Sequence, residues 1–348
     1  MIQIVVADEL WPGSGNTVTA QRMARAVGKL GLAATPVRRS DIETGDRLSG
    51  VQILHGMHAR RTGLAVRQVA QANGLPYVIT LTGTDLSADL ADPSGRQTLL
   101  PVLADAAAVV VFDRSEGARL GQLLPELTTP VVVVPPGALK PPGASWRRRL
   151  GLSAQDIVFF LPAGMRAVKR PLAAVDIVER LLPTVPQARL LVAGAEMDSA
   201  LVAEVAAKAA AHPWMQWLGA VPYEQVGGLY RAADVVLNTS EAEGLANSLL
   251  EAMAFGKPTL AQDNMGNRAA LGHVAGQEAV GLLFSEPGQA VAEARQLALN
   301  RPLRVALGRA AKRRATSVYN VDQEAALYAD LYRTVLAGSL PVQAEAAR

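Results

Sequence analysis

Cysteine is absent from the sequence, and aromatic residues are scarce. The 348 residues contain no Cys, and Phe, Trp and Tyr together make up 4%. Without thiols the chain has no disulfide, no thiolate metal ligand and no cysteine nucleophile. So few aromatic rings also leave little surface for stacking on bases. We therefore expect no nucleic-acid partner.

Long apolar runs are absent as well. No run approaches the roughly 20 residues that a membrane-spanning helix requires, so we expect no integral membrane segment. The opening residues, MIQIVVADEL, lack the basic flank of a signal peptide. Half of the residues are hydrophobic and 19% are charged, which is typical of a globular protein. From these features we predict a cytoplasmic protein.

The positive charge of the chain is small but clustered. The formal net charge is +3, and Lys and Arg occur in short groups at residues 38–39, 60–61, 147–149, 169–170 and 312–314. Such groups are typical of solvated faces, and contact with an anionic membrane surface stays open as an alternative. The four histidines show neither an H-E-x-x-H nor a facial-triad pattern. We therefore predict no metal site and no cofactor.

Apolar β-type runs alternate with amphipathic helical stretches along nearly the whole chain. This alternation predicts an α/β protein with parallel sheets covered by helices. The segment PPGALKPPGASW, residues 135–146, divides the alternation into two halves, and the chain is long enough for two separate cores. Strands are predicted at residues 2–7, 33–37, 51–55, 77–81, 108–112 and 131–134, and then at 157–161, 189–192, 215–218, 235–238, 259–261 and 282–284.

The segment SEAEGLANSLLEAMAFGKP, residues 240–258, carries the clearest functional pattern. Glu243 lies in a glycine-containing loop, and seven residues separate it from Glu251, which lies in a predicted helix. Backbone amides at the start of that helix suit a diphosphate, and two carboxylates can accept hydrogen bonds from pairs of hydroxyl groups. A nucleotide-sugar offers all of these partners, whereas an isolated pair of glutamates would favour an ordinary capped helix. The predicted amide donors are Gly244, Leu245, Ala246 and Asn247.

A basic turn, PAGMRAVKRP at residues 162–171, follows a predicted buried strand. Arg166 and Lys169 lie at the carboxyl end of this strand, where ligands enter open α/β sheets. Their charges can bind a diphosphate and stabilise the charge that develops on it. A basic helix start is the alternative, and the helix dipole disfavours it. Other residues predicted on the donor side are Gly164, Gly194 and Glu196, with Tyr223 and the turn at residues 263–266 as further candidates.

The E-x7-E segment and its trailing EAMAFGKP resemble the retaining family 4 glycosyltransferases. The resemblance implies a GT-B fold, in which two Rossmann-like domains face each other across a cleft. Residues 1–140 are then the acceptor-side domain and 141–319 the nucleotide-sugar-binding domain. A C-terminal helix at about 320–337 is expected to pack back on the first domain, and 338–348 to form a frayed tail. The basic turn departs from the common family form, because fewer residues separate its Arg from its Lys.

Three turns of the first half are predicted to bind the acceptor. Helix-start amides and two guanidinium groups there suit a small anionic compound. We expect the third turn to be exposed at the end of its strand, with helix capping by its Asp as the alternative. The first turn lacks the G-x-G-x-x-G spacing of a dinucleotide site, which argues against a dehydrogenase. The candidates are Gly15 and Asn16 in PGSGNT, His58, Arg60 and Arg61 in GMHARRTG, and Thr84 and Asp85 in TLTGTDL.

These first-half turns resemble a subgroup that includes the selenosugar synthases and the glycosyltransferase 1 domain-containing proteins. Two departures stand out. A Thr-Asp pair at Thr84 and Asp85 replaces a histidine that touches the donor sugar in many family members. The selenosugar synthases tend to carry Gly-Gly after the first motif glutamate, where this chain has Gly244 and Leu245.

The resemblance implies a retaining, metal-independent transfer of a hexose from a nucleotide-sugar, such as UDP-GlcNAc, to a small anionic acceptor. Glu243 would hold sugar hydroxyls, and Glu251 the ribose diol. Arg166 and Lys169 would replace Mg²⁺ at the diphosphate, since no D-x-D pair is present. His58 and Asp85 are candidates for catalytic roles. The alternatives are a selenosugar synthase that uses selenophosphate, an epimerase or hydrolase of the same fold, and a non-enzymatic sugar-nucleotide-binding protein.

Overall fold

The structure is a computed structural model that describes residues 1–8, 15–45 and 47–338. The chain divides into two compact units. The first comprises Met1–Gly137 together with the chain from Asn320 onward, and the second comprises Ala138–Tyr319. The first boundary lies inside the proline- and glycine-rich segment at residues 135–146.

A six-stranded parallel sheet forms the centre of the first unit. The strand order is β2-β1-β3-β4-β5-β6. Most of its strands are buried along their whole length, which is expected of a parallel sheet with helices on both faces. The strands are β1 Ile2–Val6, β2 Ala34–Arg38, β3 Ile53–Met57, β4 Tyr77–Thr80, β5 Ala108–Val111 and β6 Val131–Val133. The helices between them are α1 Gly15–Gly28, α2 Arg39–Glu43, α3 Leu64–Asn73, α4 Pro93–Ala104 and α5 Arg114–Leu123.

The second unit repeats this plan. Its sheet has the order β12-β11-β10-β7-β8-β9 and is also parallel throughout. Two apolar clusters, one on each face, form its core. The strands are β7 Ile157–Pro162, β8 Ala188–Ala193, β9 Met215–Trp217, β10 Val235–Asn238, β11 Thr259–Gln262 and β12 Leu282–Phe284. The helices are α6 Pro171–Leu181, α7 Ser199–Ala211, α8 Tyr223–Ala232, α9 Asn247–Ala254, α10 Met265–Leu271, α11 Pro287–Leu299 and α12 Arg301–Ser317.

The last helix, α13 at Val321–Leu336, packs on the sheet of the first unit. A buried, bidentate ion pair joins it to α1, with Arg22 Nε 2.8 Å and Nη2 2.7 Å from the two oxygens of Glu324. The hydroxyl of Tyr332 lies 2.6 Å from Nδ1 of the buried His55 on β3. Burial lowers the pKa of His55 to about 3, so this imidazole is neutral. Helix α13 therefore completes the core of the first unit, although it is distant in sequence from the rest of that unit.

Strand β3 lies two residues later than the sequence predicts. The predicted strand covers residues 51–55, whereas the structure pairs Gly56 and Met57 with β4. The backbone approaches its neighbours closely here, because a Cβ on Gly56 would lie 2.8 Å from Oγ1 of Thr62 and 2.9 Å from Cδ1 of Ile79. Glycine therefore marks a packed strand position here, although it reads as a strand end in the sequence.

None of the helices in the described part of the chain is both long enough and apolar enough to cross a membrane.

Candidate functional site

The second sheet reverses its strand order between β7 and β10. From β7 the chain proceeds outward through β8 and β9, and it then returns to β10 on the other side of β7. The carboxyl ends of these two adjacent strands form a switch point, where open α/β sheets bind their ligands. The loop after β7 carries Arg166 and Lys169, and the loop after β10 carries Glu243. The two loops of the predicted donor motifs therefore meet at one edge of the sheet.

An ion pair joins the two loops. The Nζ atom of Lys169 lies 2.5 Å from Oε1 of Glu243. A single turn of 3-10 helix ends at Lys169, whose carbonyl accepts a hydrogen bond from the hydroxyl of Thr239 at 2.8 Å. The amide of Glu241 donates to the carbonyl of Val168 at 2.9 Å. Hydrogen bonds between the two loops thus hold the cation and the carboxylate in place.

Glu243 remains ionised although its side chain is only 11% exposed. Burial alone would raise its pKa. The charge of Lys169 and hydrogen bonds from Lys169, Ser240 and Asn238 outweigh burial and hold the pKa below its ordinary value. The carboxylate therefore stays available as a hydrogen-bond acceptor.

Three asparagines support this loop. Asn238 lies at the end of β10, and its amide nitrogen is 3.4 Å from Oε1 of Glu243. Its Oδ1 accepts hydrogen bonds from Ser240 N at 3.0 Å and from Asn267 Nδ2 at 3.2 Å. Asn264 Nδ2 donates to the carbonyl of Ser240 at 2.8 Å. Asn238 and Asn267 are buried, so these bonds form in a site from which water is largely excluded.

Helix α9 begins at Asn247, directly after the glutamate loop. The preceding residues Gly244, Leu245 and Ala246 are buried, with their backbone at the helix N-terminus. Gly266 packs against this loop so closely that a Cβ there would lie 1.6 Å from the carbonyl oxygen of Gly244. A helix N-terminus with nearby cations suits a phosphate group.

Glu251 lies in the second turn of α9 and is 8% exposed. Its Oε2 accepts a 2.7 Å hydrogen bond from the hydroxyl of Tyr230, a fully buried residue of α8. The sequence analysis missed Tyr230, because nothing near it in the sequence indicates a contact with a helix 21 residues away.

The remaining donor-side candidates occupy the turns after β7 and β8. Arg166 is half-buried, and its carbonyl accepts from Lys169 N at 2.9 Å. A Cβ on Gly194 would lie 1.9 Å from the carbonyl oxygen of Ala163, so this close approach requires glycine. The turns of Gly164 and Gly194 are joined by the bond from Met165 N to Ala195 O at 2.8 Å.

Three other donor-side candidates lie in turns farther along the sheet edge. Glu196 is exposed, with Oε1 3.3 Å from the position of a Cβ on Gly219. Tyr223 is half-buried and begins α8. In the turn at residues 263–266, Asp263 pairs with Arg268 at 2.5 Å.

In the first unit, His58 and Asp85 come together at the carboxyl ends of β3 and β4. Nδ1 of His58 lies 2.8 Å from Oδ1 of Asp85, and Nε2 lies 2.8 Å from the hydroxyl of Thr84. His58 has a φ of +83°, a conformation that is strained for any residue except glycine. Sites that hold a strained residue often bind ligands, and the imidazole here is buried.

The prediction that Asp85 is exposed is wrong. Its side chain is completely buried. Oδ1 accepts from Ala59 N at 2.7 Å, and Oδ2 accepts from Thr82 N at 2.6 Å. These bonds satisfy the carboxylate inside the protein, so Asp85 does not face solvent. Thr84 is half-buried rather than exposed.

Asp89 is a further member of this cluster that the sequence analysis missed. It lies one turn after Asp85, with Oδ2 3.9 Å from Nε2 of His58 and Oδ1 3.5 Å from Nε of Arg60. Burial raises the pKa of Asp89, and the negative charge of Asp85 adds to that effect. Arg60 is 55% exposed and pairs with this carboxylate, while Arg61 is half-buried.

Gly15 and Asn16 are the first residues of α1. The preceding part of the predicted acceptor turn, at residues 12–14, lies outside the described residues.

His58, Asp85 and Asp89 offer ligand atoms within 4.8 Å of one another, a spacing that a metal ion could use. Their existing bonds fit a metal poorly. Both oxygens of Asp85 already accept backbone N–H groups, which leaves one imidazole nitrogen and the carboxylate of Asp89. Two ligands are fewer than the three or four that zinc sites take from the protein.

Comparisons with known proteins show what this chain is similar to. Residues 144–314 match the family described as Glycosyl transferases group 1. The chain is 24% identical over 336 residues to Glycosyltransferase 1 domain-containing protein 1 of Xenopus tropicalis, covering 93% of this chain and 94% of that protein. It is 28% identical to D-inositol 3-phosphate glycosyltransferase of Nocardia farcinica over 60% of this chain and 46% of that protein.

Solved structures share the fold at low sequence identity. Sucrose-phosphate synthase from Thermosynechococcus elongatus superposes with a TM-score of 0.80 at 16% identity, covering 97% of this chain and 99% of that one. Alr3699/HepE of Anabaena, solved with UDP-glucose, gives a TM-score of 0.77 at 14% identity, covering 96% and 99%. These matches confirm the predicted GT-B fold class.

Proposed function

We propose that the chain, whose residues 144–314 match the glycosyl transferases group 1 family, is a glycosyltransferase that moves a sugar from a UDP-sugar, such as UDP-GlcNAc, to a small acceptor with retention of configuration and without a metal ion. The observation that carries the proposal is the ion pair of Lys169 and Glu243 at the switch point of the second sheet. A UDP donor is supported by the UDP-glucose complex of Alr3699/HepE.

Each donor-side residue has a role that its chemistry suits. Glu243, held ionised by Lys169, accepts hydrogen bonds from hydroxyls of the transferred sugar. Glu251 accepts from the ribose diol. Lys169 and Arg166 supply positive charge to the diphosphate, together with the amides at the start of α9. These groups stabilise the charge on the leaving diphosphate most strongly when the glycosidic bond is broken, which is the requirement for catalysis.

The chemical step is the one that the resemblance to the retaining family 4 glycosyltransferases implies. The bond between the anomeric carbon and the diphosphate oxygen breaks, and the acceptor oxygen forms a bond on the same face of the sugar. The acceptor proton passes to the leaving phosphate oxygen, so no protein base is required. Cations from two side chains take the place of a divalent ion at the diphosphate.

The acceptor is assigned to the first unit, in the cluster of His58, Thr84 and Asp89. The Nε2 atom of His58, which lies 2.8 Å from the hydroxyl of Thr84, can bond to an acceptor hydroxyl in place of Thr84. Arg61 can attract an anionic group on the acceptor. Arg60 contributes less, because Asp89 partly neutralises it.

Calorimetry and turnover assays test the donor assignment. Native protein should bind UDP in the presence of EDTA and transfer sugar from at least one member of a UDP-sugar panel. Glu251→Ala should weaken UDP binding, since the diol loses its acceptor. Glu243→Gln should reduce turnover much more than UDP binding, because Glu243 is assigned to the transferred sugar alone.

Glu241→Gln is the matched control, since Glu241 is an exposed carboxylate of the same loop. It should leave binding and turnover unchanged. Activity that disappears with EDTA and returns with Mg²⁺ would contradict the metal-independent mechanism. UDP, GDP and ADP binding that is equal in native protein and Glu251→Ala would contradict the donor site.

A further inference from the structure

The hydroxyl of Tyr230 is directed at the carboxylate of Glu251 from a neighbouring helix. The oxygen lies 2.7 Å from Oε2 of Glu251 and 3.2 Å from the carbonyl of Ser248. A phenol has a single proton, and the shorter bond to the charged acceptor is the stronger one. Tyr230 therefore donates to Glu251.

Aromatic packing fixes the ring that carries this hydroxyl. Tyr230 stacks on Phe255 with ring centroids 5.3 Å apart and an interplanar angle of 8°. It also meets Phe160 of β7 edge-to-face, at 5.2 Å and 81°. Because Tyr230 is fully buried, its hydroxyl has little freedom to turn toward water. The ring is thus a rigid support between the sheet and α9.

The hydroxyl of Tyr230 remains a donor throughout the physiological pH range. Burial, and then the negative charge of Glu251, raise the pKa of Tyr230 well above its ordinary value. A buried carboxylate, in turn, needs hydrogen-bond donors to stay ionised. A carboxylate has about four lone-pair positions, so one bond from Tyr230 leaves capacity for further donors.

We propose that Tyr230 is a positioning residue that holds the carboxylate of Glu251 oriented for the two hydroxyls of the donor ribose. Tyr230 does not touch the nucleotide and acts only through Glu251. This inference rests on the donor site proposed above and adds a residue whose effect depends on the presence of the diol. Neither the family motif nor the spacing of the two glutamates points to Tyr230.

The test uses Tyr230→Phe, which removes the hydroxyl and keeps the ring stacking. UDP and 2′,3′-dideoxyuridine 5′-diphosphate are titrated into native protein and variant by calorimetry. We expect the variant to bind UDP about tenfold more weakly, the loss typical of one charge-assisted hydrogen bond. Its affinity for the dideoxy compound should equal that of native protein.

Tyr319→Phe is the matched control. Tyr319 is a buried tyrosine of the same unit, and its hydroxyl donates to the carbonyl of Ala269 at 3.2 Å. Its variant should bind both nucleotides as native protein does, even where its melting temperature falls. A loss of UDP affinity of the same size in this control would make the effect of Tyr230→Phe a general packing effect.

The outcomes separate this proposal from the donor assignment. If Glu251→Ala removes the preference for UDP over the dideoxy compound and Tyr230→Phe keeps it, the role of Tyr230 is refuted and the donor site stands. If Tyr230→Phe weakens both ligands equally, the residue supports the fold and does not position Glu251. If native protein shows no preference for UDP, the ribose assignment of Glu251 fails, and this proposal fails with it.

Discussion

Replacing Lys169 by Met tests the central ion pair of the candidate donor site. Methionine keeps the length of the side chain and removes its charge. Glu243 then retains a carboxylate that is only 11% exposed, without the ammonium group 2.5 Å away. The pKa of Glu243 should rise toward and beyond its ordinary value of 4.5, since burial is no longer opposed by Lys169.

The expected magnitudes follow from hydrogen bonds to charged groups. Each is worth about 1.5–3 kcal/mol, so loss of the bond to the leaving diphosphate should reduce kcat/KM by roughly 10- to 150-fold. The free energy of unfolding should fall by about 1–3 kcal/mol, because a largely buried charge loses its partner. The pair stabilises the fold fully above pH 4.5, and this contribution is lost as the pH falls below that value through the lowered pKa of Glu243.

A double variant separates stability from catalysis. Lys169→Met combined with Glu243→Gln removes both charges, so it should recover part of the unfolding free energy that Lys169→Met loses. Turnover should not recover. Steady-state kinetics with a UDP-sugar and urea unfolding at pH 7 measure both quantities, with the exposed Lys312→Met as the control. Full activity in Lys169→Met, at unchanged stability, would refute the role given to the pair.

Two further predictions concern the first unit. Arg60→Gln combined with Arg61→Gln should raise the KM for a phosphate-bearing acceptor by roughly fivefold, the scale of exposed ion contacts, and should leave UDP affinity unchanged. The exposed Arg114→Gln is the control. A rise in the Kd for UDP instead would assign these arginines to the donor. The pKa of His55 is about 3 in the folded protein, against an ordinary value of 6.5. The contribution of His55 to the unfolding free energy is therefore complete above pH 6.5 and is lost as the pH falls toward 3. The loss is about 1.4 kcal/mol per pH unit once His55 is protonated in the unfolded chain. His55→Phe should flatten the dependence of the unfolding free energy on pH between 6.5 and 5, and an unchanged slope would contradict the neutral, buried imidazole.

Local sequence pattern was sufficient to predict the fold class and most element positions. Parallel strands that are buried on both faces need continuous apolar runs, and runs such as Val235–Asn238 stand between turn residues that mark their ends. The glycine, glutamate and lysine residues of the donor loops can also be recognised from the local sequence, because each loop directly follows a buried strand. The third strand was displaced by two residues, since a glycine inside it reads as a boundary.

Tertiary structure decided which side chains meet and which are buried. Tyr230 reaches Glu251 from another helix, and Asn267 reaches Asn238 across the sheet edge, so no local spacing encodes either contact. Asp85 looks like an exposed loop residue in the sequence, yet backbone amides of two different turns satisfy its oxygens and allow complete burial. The sequence by itself determined the sheets and the location of the charged loops, because these depend on hydrophobic periodicity and turn chemistry. The hydrogen-bond partners depend on how distant segments pack, which only the folded chain specifies.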